Sequence, residues 1–417
     1  MGVTIGFELD LTLLDPSPGV ASTTLLSPHD VVALPGAAEA LAAVRRAGGR
    51  SLVVTAKGAD LARACLAAAG LEVDDVVGGV WGQQKTPALV AAEALAYVGD
   101  HPDDVLAARA AGCTSVGVGT GGQAPVGCDV LLPGLTGFPD WLGRELLGRR
   151  LRELGSVLVA FSGGADSAYL LAVALAELGP DRVQAATAVS ASLPADELAA
   201  ARALAVSLGV HWHEARTAEM ASEGYRANAG DRCAFCKSAL LDALGPLAQR
   251  LGLAAVATGT NADDLRAGFR PGIAAAAGRG AVTPLADAGL TKPQVRGLSR
   301  ELGLLTWDKP QAACLSSRVA YGVRITAQRL ARVERAEADL RAALVAAGVP
   351  VRDLRVRDLG ETARVEVDAP LLAQVAPHLG AVEGFSAVEL DPRGFRSGSM
   401  NEALDGRPSP AAAVASS

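Results

Sequence analysis

The segment Ser-Gly-Gly-Ala-Asp-Ser at residues 162–167 constrains the fold of this chain most strongly. It directly follows a short apolar run at residues 157–161, and an Ala/Leu-rich stretch that predicts a helix comes after it. A strand, a glycine-rich turn and a helix N-terminus in this order expose unpaired backbone N–H groups around a concave anion site. The glycines let the backbone approach a ligand closely, and the acidic residue is a candidate Mg²⁺ ligand. The predicted anion-site residues are Ser162, Gly163, Gly164, Asp166 and Ser167.

An ordinary strand-to-helix turn is the alternative for an isolated Ser-Gly-Gly, but the complete six-residue pattern is far more specific. Length and composition agree with a large α/β protein. The chain has 417 residues, half of them hydrophobic, which predicts more than one domain. No basic leader precedes the first apolar segment and no apolar run reaches the roughly 18 residues of a membrane span, so we expect a cytoplasmic protein without a membrane partner.

Two stretches of the chain alternate short apolar strands with Ala-rich helices, which is the pattern of doubly wound parallel sheets. In the first, we predict strands at residues 3–9, 50–55, 95–98 and 114–118 and helices at 36–47, 58–69 and 102–111. A turn-rich segment at 132–139 reads as a linker, followed by a bridging helix at 140–154. In the second, strands are predicted at 157–161, 183–189 and 254–258.

The pattern changes after residue 325, where a long charged helix at 327–347 precedes short strands at 353–357 and 362–367. This predicts a small α+β subdomain, and the Pro/Ala/Ser-rich end of the chain predicts disorder. The predicted organisation is an N-terminal α/β domain at residues 1–139, a second α/β domain at 140–325, the subdomain at 326–405 and a disordered tail at 406–417.

The N-terminal domain resembles the haloacid dehalogenase (HAD) superfamily of phosphatases. The resemblance rests on Phe-Glu-Leu-Asp-Leu-Thr at residues 7–12, a Thr ending the strand at 52–54, a Lys near 85, and Gly-Asp-His-Pro-Asp-Asp at 99–104. The matching positions are Glu8, Asp10, Thr55, Lys85, Asp100 and Asp104.

In that family the first acidic residue of the motif is an Asp that attacks phosphorus, whereas this chain has Glu8 there. The extra methylene displaces the carboxylate, and a displacement of ~1 Å can cost ~100-fold in rate. The resemblance therefore implies a degenerate, structural or regulatory domain in which metal or phosphate binding survives.

Three cysteines in the C-terminal half form a second chemical signal: Cys233 and Cys236 in a Cys-x-x-Cys, and Cys314 further on. They predict a zinc site with His211 or His213 as fourth ligand, a redox pair, or three ligands of an iron–sulfur cluster with one iron left open. Buried structural thiols are the alternative. The flanking Arg232 and Lys237 favour thiolates, and disulfides are not expected in a reducing compartment.

Further polar segments lie where open α/β sheets bind ligands, at the carboxyl ends of strands. Gly-Thr-Asn-Ala-Asp-Asp follows the strand at 254–258 and supplies three candidate nucleotide-binding residues, Gly259, Asn261 and Asp263. Hydroxyl and guanidinium groups suited to carboxylates and phosphate follow later in the chain. These candidate substrate-binding residues are Ser317, Arg318, Arg355, Arg357 and Arg396.

Residues 145–405 resemble the LarE family of ATP-dependent pyridinium-3,5-biscarboxylic acid mononucleotide sulfurtransferases, which belong to the PP-loop ATP pyrophosphatases. The shared motifs are SGGADS, RCAFCK, GTNADD, RPG, ACLSSR with YG, RVR and GFRSGSMN. The resemblance implies a PP-loop, adenine nucleotide alpha hydrolase-like fold and a role in building the nickel-pincer nucleotide cofactor.

The implied mechanism uses ATP and Mg²⁺, held by the 162–167 loop and Asp166, to adenylate a carboxylate of the anionic substrate. A sulfur nucleophile then displaces AMP and leaves a thiocarboxylate. Because three cysteines are present, the resemblance favours a [4Fe-4S] cluster on Cys233, Cys236 and Cys314 over sacrifice of Cys314. It also implies a homo-oligomer, an external sulfide or sulfur donor, and Glu337 as a weaker substrate-site candidate.

Two other functions stay open. A PP-loop enzyme that thiolates tRNA also uses three cysteines, but the net charge of −7 does not indicate a large nucleic-acid surface. A non-catalytic nucleotide-binding protein would bind ATP without releasing pyrophosphate.

Overall fold

The computed structural model describes residues 2–16, 31–119, 125–266, 271–310, 313–396 and 400. The predicted disordered tail and the Arg of the RPG motif lie outside the described residues. The chain forms two compact units. Unit 1 comprises Met1–Arg150, Asn261–Asp263 and Pro284–Gln294, and unit 2 comprises Leu151–Thr260, Asp264–Thr283 and Val295–Ser417.

Unit 1 is built on a parallel sheet of six strands with the order β5-β4-β1-β6-β7-β8. Its strands are β1 (Thr4–Phe7), β4 (Arg50–Val54), β5 (Asp75–Val77), β6 (Ala94–Gly99), β7 (Thr114–Val118) and β8 (Val130–Leu132), with a separate antiparallel pair of β2 (Leu14–Pro16) and β3 (Val31–Ala33). Its helices are α1 (Ala37–Arg46), α2 (Ala59–Ala68), α3 (Thr86–Ala91), α4 (Pro102–Ala111), most of α5 (Phe138–Leu154) and the later α12 (Pro284–Asp287).

The strand order of unit 1 reverses between β1 and β6, because β4 and β5 extend the sheet on one side and β7 and β8 on the other. Such a switch point leaves a crevice at the carboxyl ends of the two central strands. The segment predicted as a linker belongs to this unit instead. It contains the end of β8 and the start of α5, and buried Phe138 packs 5.3 Å from Phe7 between ring centroids.

Unit 2 has a parallel sheet of four strands with the order β11-β10-β9-β12. Its strands are β9 (Val157–Ala160), β10 (Val183–Val189), β11 (His211–Arg216) and β12 (Ala255–Thr258). The helices of this part of the chain are α6 (Ala165–Leu178), α7 (Ala195–Ser207), α8 (Glu223–Ala227), α9 (Arg232–Arg250), α10 (Ala262–Arg266), α11 (Pro271–Ala277) and α13 (Lys292–Glu301), of which α10 and α13 cross the boundary between the units. The switch point of this sheet lies between β9 and β12.

A smaller three-stranded sheet completes unit 2, with β13 (Leu354–Asp358) antiparallel and β15 (Ala387–Leu390) parallel to the central β14 (Thr362–Val367). The long helix α14 (Ala327–Ala346) and the short α15 (Leu372–Val375) pack on it around a core that includes Leu340, Val356 and Val365.

The α/β class with parallel sheets is confirmed, and most predicted strands and helices match within one or two residues. Sequence reasoning missed β11, whose sequence His-Trp-His-Glu-Ala-Arg is polar because it forms an edge of its sheet. Within the described residues, no helix is both long and apolar enough to cross a bilayer.

Candidate functional site

The 162–167 loop connects β9 to α6 at the switch point of the unit 2 sheet. Gly164 is the N-cap of the 14-residue helix α6, and Gly163 has a positive φ of 67°. The loop is held by its own hydroxyls: Ser167 Oγ donates to the Gly164 carbonyl at 3.2 Å, and Ser162 N–H donates to Ser167 Oγ at 3.3 Å. The N-terminal N–H groups of α6 and the helix dipole therefore face the crevice, as a phosphate site requires.

Gly259 follows β12 and lies directly against this loop. A Cβ at this position would come 2.9 Å from Ser167 N and 3.2 Å from Asp166 Cβ, so only glycine fits without displacing the helix N-terminus. The next predicted residues belong to the segment that clusters with unit 1: Asn261 is buried and accepts from Asp263 N–H at 3.0 Å, and Asp263 accepts from Lys292 N–H at 2.8 Å.

Lys309 contacts the 162–167 loop, and sequence reasoning did not predict this contact. Its ammonium donates to the Gly163 carbonyl at 3.3 Å and forms an ion pair of 2.7 Å with Glu197. A lysine at a phosphate-binding loop supplies a mobile positive charge for a nucleotide. In the sequence Lys309 stands out only as part of a Lys-Pro pair. The pair lies so far downstream of the loop that its position gave no reason to expect a contact with Gly163.

The three predicted cysteines are brought close to one another. Cys233 and Cys236 lie in the first turn of α9, and Cys314 precedes the 3₁₀ turn Leu315–Arg318. Burial, and after it the nearby Cys314, Glu219 and Cys233, raise the pKa of Cys236 to about 12. The expectation that flanking basic residues favour a thiolate is therefore wrong for Cys236.

The two flanking basic residues differ in what they contact. Arg232 donates to the side-chain oxygen of Asn228 and stacks 4.7 Å from the ring centroid of Tyr321. Lys237 does interact with Cys236 and lowers the pKa of that thiol, but this effect is outweighed by burial, which also lowers the pKa of Lys237 itself.

Neither histidine joins the thiols as a metal ligand. His213 lies on β11 and its Nε2 is 2.7 Å from the side-chain oxygen of Gln184. In the part of the chain that the structure describes, no three His, Cys, Asp or Glu side chains are arranged to hold a metal ion. The donor set nevertheless has the chemistry of a cluster site, since it consists of three thiols near one another.

The turn that carries Cys314 is fixed by its neighbours. Leu315 N–H donates to the Ser192 carbonyl at 2.8 Å, and Ser316 Oγ lies 2.5 Å from the buried hydroxyl of Tyr225. The predicted substrate residue Ser317 uses its hydroxyl within the turn, donating to the Cys314 carbonyl at 2.7 Å. The cysteine is therefore presented by a turn that is anchored at three successive residues.

The predicted substrate arginines divide into two kinds. Arg318 is buried against Glu337, and Arg357 is buried against Glu366 with Nη2 2.7 Å from its carboxylate, so both have internal counter-ions. Arg355 lies on β13, near enough to both arginines to be repelled by them. Burial, then repulsion by Arg318 and Arg357, lowers the pKa of Arg355 to about 10.

Arg355 is therefore the arginine of this group whose positive charge its surroundings disfavour most. It stacks 5.5 Å from the ring centroid of Phe395, next to the remaining predicted residue. Arg396 donates to the Gly394 carbonyl at 3.3 Å and lies 3.6 Å from a carboxylate oxygen of Asp391.

Glu219 is a further residue of this region that the sequence did not reveal. Its side chain is 3% exposed, and one carboxylate oxygen accepts from the hydroxyls of Ser190 and Ser192. The other carboxylate oxygen is buried without a hydrogen-bond partner.

In unit 1 the six predicted residues do converge at the carboxyl ends of β1, β4 and β6. Glu8 is buried and its carboxylate pairs with Lys85, accepts from Thr55 Oγ1 at 3.0 Å and lies 3.0 Å from the hydroxyl of Tyr97. Lys85 also pairs with Asp104 at 2.7 Å. The protein's own carboxylate thus occupies the donors that would hold an anion.

The other acidic residues of unit 1 surround this network. Asp10 pairs with Lys57, which sequence reasoning missed, and Asp100 accepts from Thr12 Oγ1 at 3.4 Å. Burial and the nearby Asp104 raise the pKa of Asp100.

No family profile matches the sequence. The chain is 43% identical over 260 residues to an uncharacterised protein of Synechocystis sp. strain PCC 6803, which covers 60% of this chain and 94% of that protein. It is 35% identical over 260 residues to the pyridinium-3,5-bisthiocarboxylic acid mononucleotide synthase of Lactiplantibacillus plantarum, which covers 61% of this chain and 92% of the synthase. This chain therefore belongs to the family of that synthase.

Proposed function

We propose that this protein is an ATP-dependent sulfurtransferase of nickel-pincer cofactor biosynthesis. It adenylates a carboxylate of pyridinium-3,5-biscarboxylic acid mononucleotide and converts it to a thiocarboxylate. The observation that carries the proposal is the proximity, within unit 2, of the thiols and the predicted substrate arginines: Cys233 and Cys314 lie near Cys236, and Arg318 donates to the Cys314 carbonyl at 3.0 Å. Membership of the synthase family supports the substrate.

In the first step the substrate carboxylate attacks the α-phosphorus of ATP, which forms an acyl-adenylate and releases pyrophosphate. The N-terminal N–H groups of α6 and the ammonium of Lys309 hold the phosphates, and Gly259 lets the chain after β12 approach the start of α6 closely. Asp166 is the proposed ligand of Mg²⁺, which when bound neutralises the leaving pyrophosphate. Arg355 holds an anionic group of the substrate.

In the second step a hydrosulfide-level sulfur attacks the acyl carbon, the C–O bond to AMP breaks, and a proton is lost to give the thiocarboxylate. Cys233, Cys236 and Cys314 are the proposed ligands of a [4Fe-4S] cluster, which when bound offers an open iron for sulfide. The alternative source is Cys314 itself, whose loss of sulfur would leave dehydroalanine. In both routes the transferred sulfur would lie at or beside the anchored turn that carries Cys314.

The test starts with anaerobic purification of the wild-type protein and of Cys233→Ala, followed by iron, acid-labile sulfide and visible absorption. We expect about four irons per chain in the wild type and their loss in the variant. Pyrophosphate release that requires the pyridinium dicarboxylate, and a product with sulfur in place of one oxygen, would establish the reaction. Loss of H₂S from Cys314 after turnover would replace the cluster by sacrificial chemistry, whereas zinc or absent pyrophosphate release would contradict the proposal.

Two competing functions have their own readouts. Salt-sensitive tRNA binding would favour a tRNA-thiolating enzyme, although the net charge of −7 disfavours it. ATP binding without pyrophosphate release would indicate a non-catalytic nucleotide-binding protein. We also propose a homo-oligomer, which analytical ultracentrifugation of the purified chain will test.

For unit 1 we propose a HAD-like domain that does not transfer phosphoryl groups. The support is the position of Glu8, whose carboxylate is already bound by Lys85 and Thr55. With Mg²⁺ and p-nitrophenyl phosphate we expect no turnover by the wild type. Activity that is abolished by Glu8→Gln would contradict this, and a gain of activity in Glu8→Asp would support the displaced nucleophile as its cause.

A further inference from the structure

Glu219 is the one carboxylate described above that is almost completely buried and still has an unused oxygen. Its side chain is 3% exposed, and the hydroxyls of Ser190 and Ser192 both donate to the same oxygen, Oε1. Oε2 is buried without a partner. Within the described ranges, no Lys, Arg or His lies at ion-pair distance from this carboxylate.

A buried carboxylate without a cation is costly, because two neutral hydroxyls replace only part of its lost hydration. Two buried arginines of unit 2, by contrast, are matched by carboxylates: Arg357 by Glu366 and Arg318 by Glu337. A buried carboxylate without such a cation is a candidate for a group that is completed by a ligand.

The place of Glu219 identifies which part of a ligand it would meet. Ser192, which donates to Glu219, also accepts through its carbonyl from Leu315 N–H at 2.8 Å, next to Cys314. Met220, the residue after Glu219, packs in the same cluster as Cys236 and Leu315. Glu219 therefore borders the thiol group from which sulfur would be transferred.

We infer that Glu219 is the counter-ion of the cationic ring of the substrate. The inference rests on the proposed function, in which a carboxyl group attached directly to a pyridinium ring must reach the cysteines. Adenylation removes the negative charge of that carboxyl group, so the positive ring then needs an anion from the protein. The arginines cannot supply it, whereas Glu219 is an almost completely buried carboxylate beside the thiols that forms no ion pair with the residues that the structure describes.

The test compares two probes that differ in ring charge: nicotinic acid mononucleotide, with a cationic ring, and its 1,4-dihydropyridine form, with a neutral ring. Isothermal titration of the full chain should show that the wild type prefers the cationic form. Glu219→Gln keeps the shape and hydroxyl contacts but removes the charge. We expect it to bind the cationic form roughly 30-fold more weakly and the neutral form unchanged.

Glu223→Gln is the matched control, since Glu223 lies four residues away on the surface and pairs with Arg226 and Arg324. Its ring preference should equal that of the wild type. Glu219→Asp keeps the charge and should retain the preference, which also covers the case in which Glu219→Gln does not fold. An equal loss of both probes in Glu219→Gln, or no preference in the wild type, would overturn the inference.

These outcomes are separate from those of the proposed function. A ring preference that depends on Glu219, without pyrophosphate release or thiocarboxylate formation, would support the binding site and reject the sulfurtransferase. If the protein transfers sulfur but Glu219→Gln keeps the preference for the cationic ring, the sulfurtransferase is supported and the role of Glu219 is rejected.

Discussion

The guanidinium of Arg318 forms a two-point ion pair with the carboxylate of Glu337, with Nε 3.0 Å from Oε1 and Nη2 3.2 Å from Oε2. The same guanidinium donates through Nη1 to the Cys314 carbonyl at 3.0 Å, and Glu337 accepts from Val356 N–H at 3.0 Å. The pair therefore ties the cysteine-bearing turn to α14 and β13. We interpret both residues as positioning groups for Cys314.

Replacing Glu337 should release this turn. In Glu337→Gln the buried Arg318 loses its charge partner, which we expect to reduce the free energy of unfolding by about 3–5 kcal/mol. Urea denaturation measures this change. Glu334→Gln is the control, because Glu334 lies on the same helix but accepts only from the exposed Ala195 N–H, and we expect a change below about 1 kcal/mol. A similar small change in Glu337→Gln would show that the pair does not hold the turn.

Replacing Arg355 should stabilise the ligand-free protein, in contrast to replacing Glu337. Because its pKa is lowered by burial and by Arg318 and Arg357, its charge opposes folding. We expect Arg355→Gln to raise the melting temperature of the ligand-free protein but to weaken the stabilisation produced by the substrate. Thermal denaturation with and without the substrate measures both effects. Equal stabilisation of wild type and variant would exclude Arg355 from the substrate site.

The sequence revealed the parallel sheets and the loop at residues 162–167 because each depends on local patterns. Apolar runs identify strands, and glycines next to a serine identify a turn between strand and helix. Lys309 and Glu219 could not be predicted because their roles depend on contacts between segments that are distant in the sequence. Lys309 donates to the Gly163 carbonyl, and Glu219 accepts from the hydroxyls of Ser190 and Ser192. The arginine at position 318 was visible, but its partner Glu337 could not be assigned from spacing alone.

The buried network of unit 1 predicts a strong dependence on Lys85. In Lys85→Met the carboxylates of Glu8 and Asp104 lose their shared cation, so we expect a loss of about 3–5 kcal/mol in the free energy of unfolding. Lys57→Met is the comparison, since Lys57 and its partner Asp10 are more exposed, and it should cost about 1 kcal/mol. Chemical denaturation of both variants measures the difference. Equal costs would mean that Glu8 is neutral and does not need Lys85.

Two strands of the unit 1 sheet are joined to neighbouring segments by the same Ser–Asp contact. Asp74 accepts from Ser51 N–H at 2.7 Å and from its hydroxyl at 2.9 Å, and Asp129 accepts from Ser115 in the same way. These bonds lower the pKa of both carboxyls. Their contribution to stability is therefore complete above the unfolded Asp pKa of about 3.9 and is lost as the pH falls through the lower folded values.

We therefore expect Asp74→Asn to be less stable than the wild type at pH 7 by about 1 kcal/mol, and the difference to shrink as the pH falls below about 4. Urea denaturation at a series of pH values measures it. The fully exposed Asp60 provides the control variant Asp60→Asn, for which no such trend is expected. A difference that is constant with pH would show that the amide replaces the carboxylate without loss.

Asn228 connects the two segments that carry the cysteines. It is fully buried with a φ of 54°, and its amide donates to the carbonyls of Val319, Ala320 and Val323 at 2.8–3.2 Å while its oxygen accepts from Arg232 of α9. Asn228→Gly keeps the backbone conformation but removes the amide, and we expect a cost of about 2–3 kcal/mol. Asn228→Ala adds about 1 kcal/mol or more, because alanine resists a positive φ.

The functional consequence is a change in the spacing of the thiols. If Asn228 sets the distance between the first turn of α9 and the Cys314 turn, oxidation with diamide should form different amounts of the Cys236–Cys314 disulfide in Asn228→Gly and in the wild type. Mass spectrometry of peptides measures the yield, under conditions in which both proteins are folded by circular dichroism. If Asn228→Gly loses stability as expected but forms the same amount of the Cys236–Cys314 disulfide, the thiols keep their arrangement without the Asn228 amide. Asn228 would then contribute to stability only.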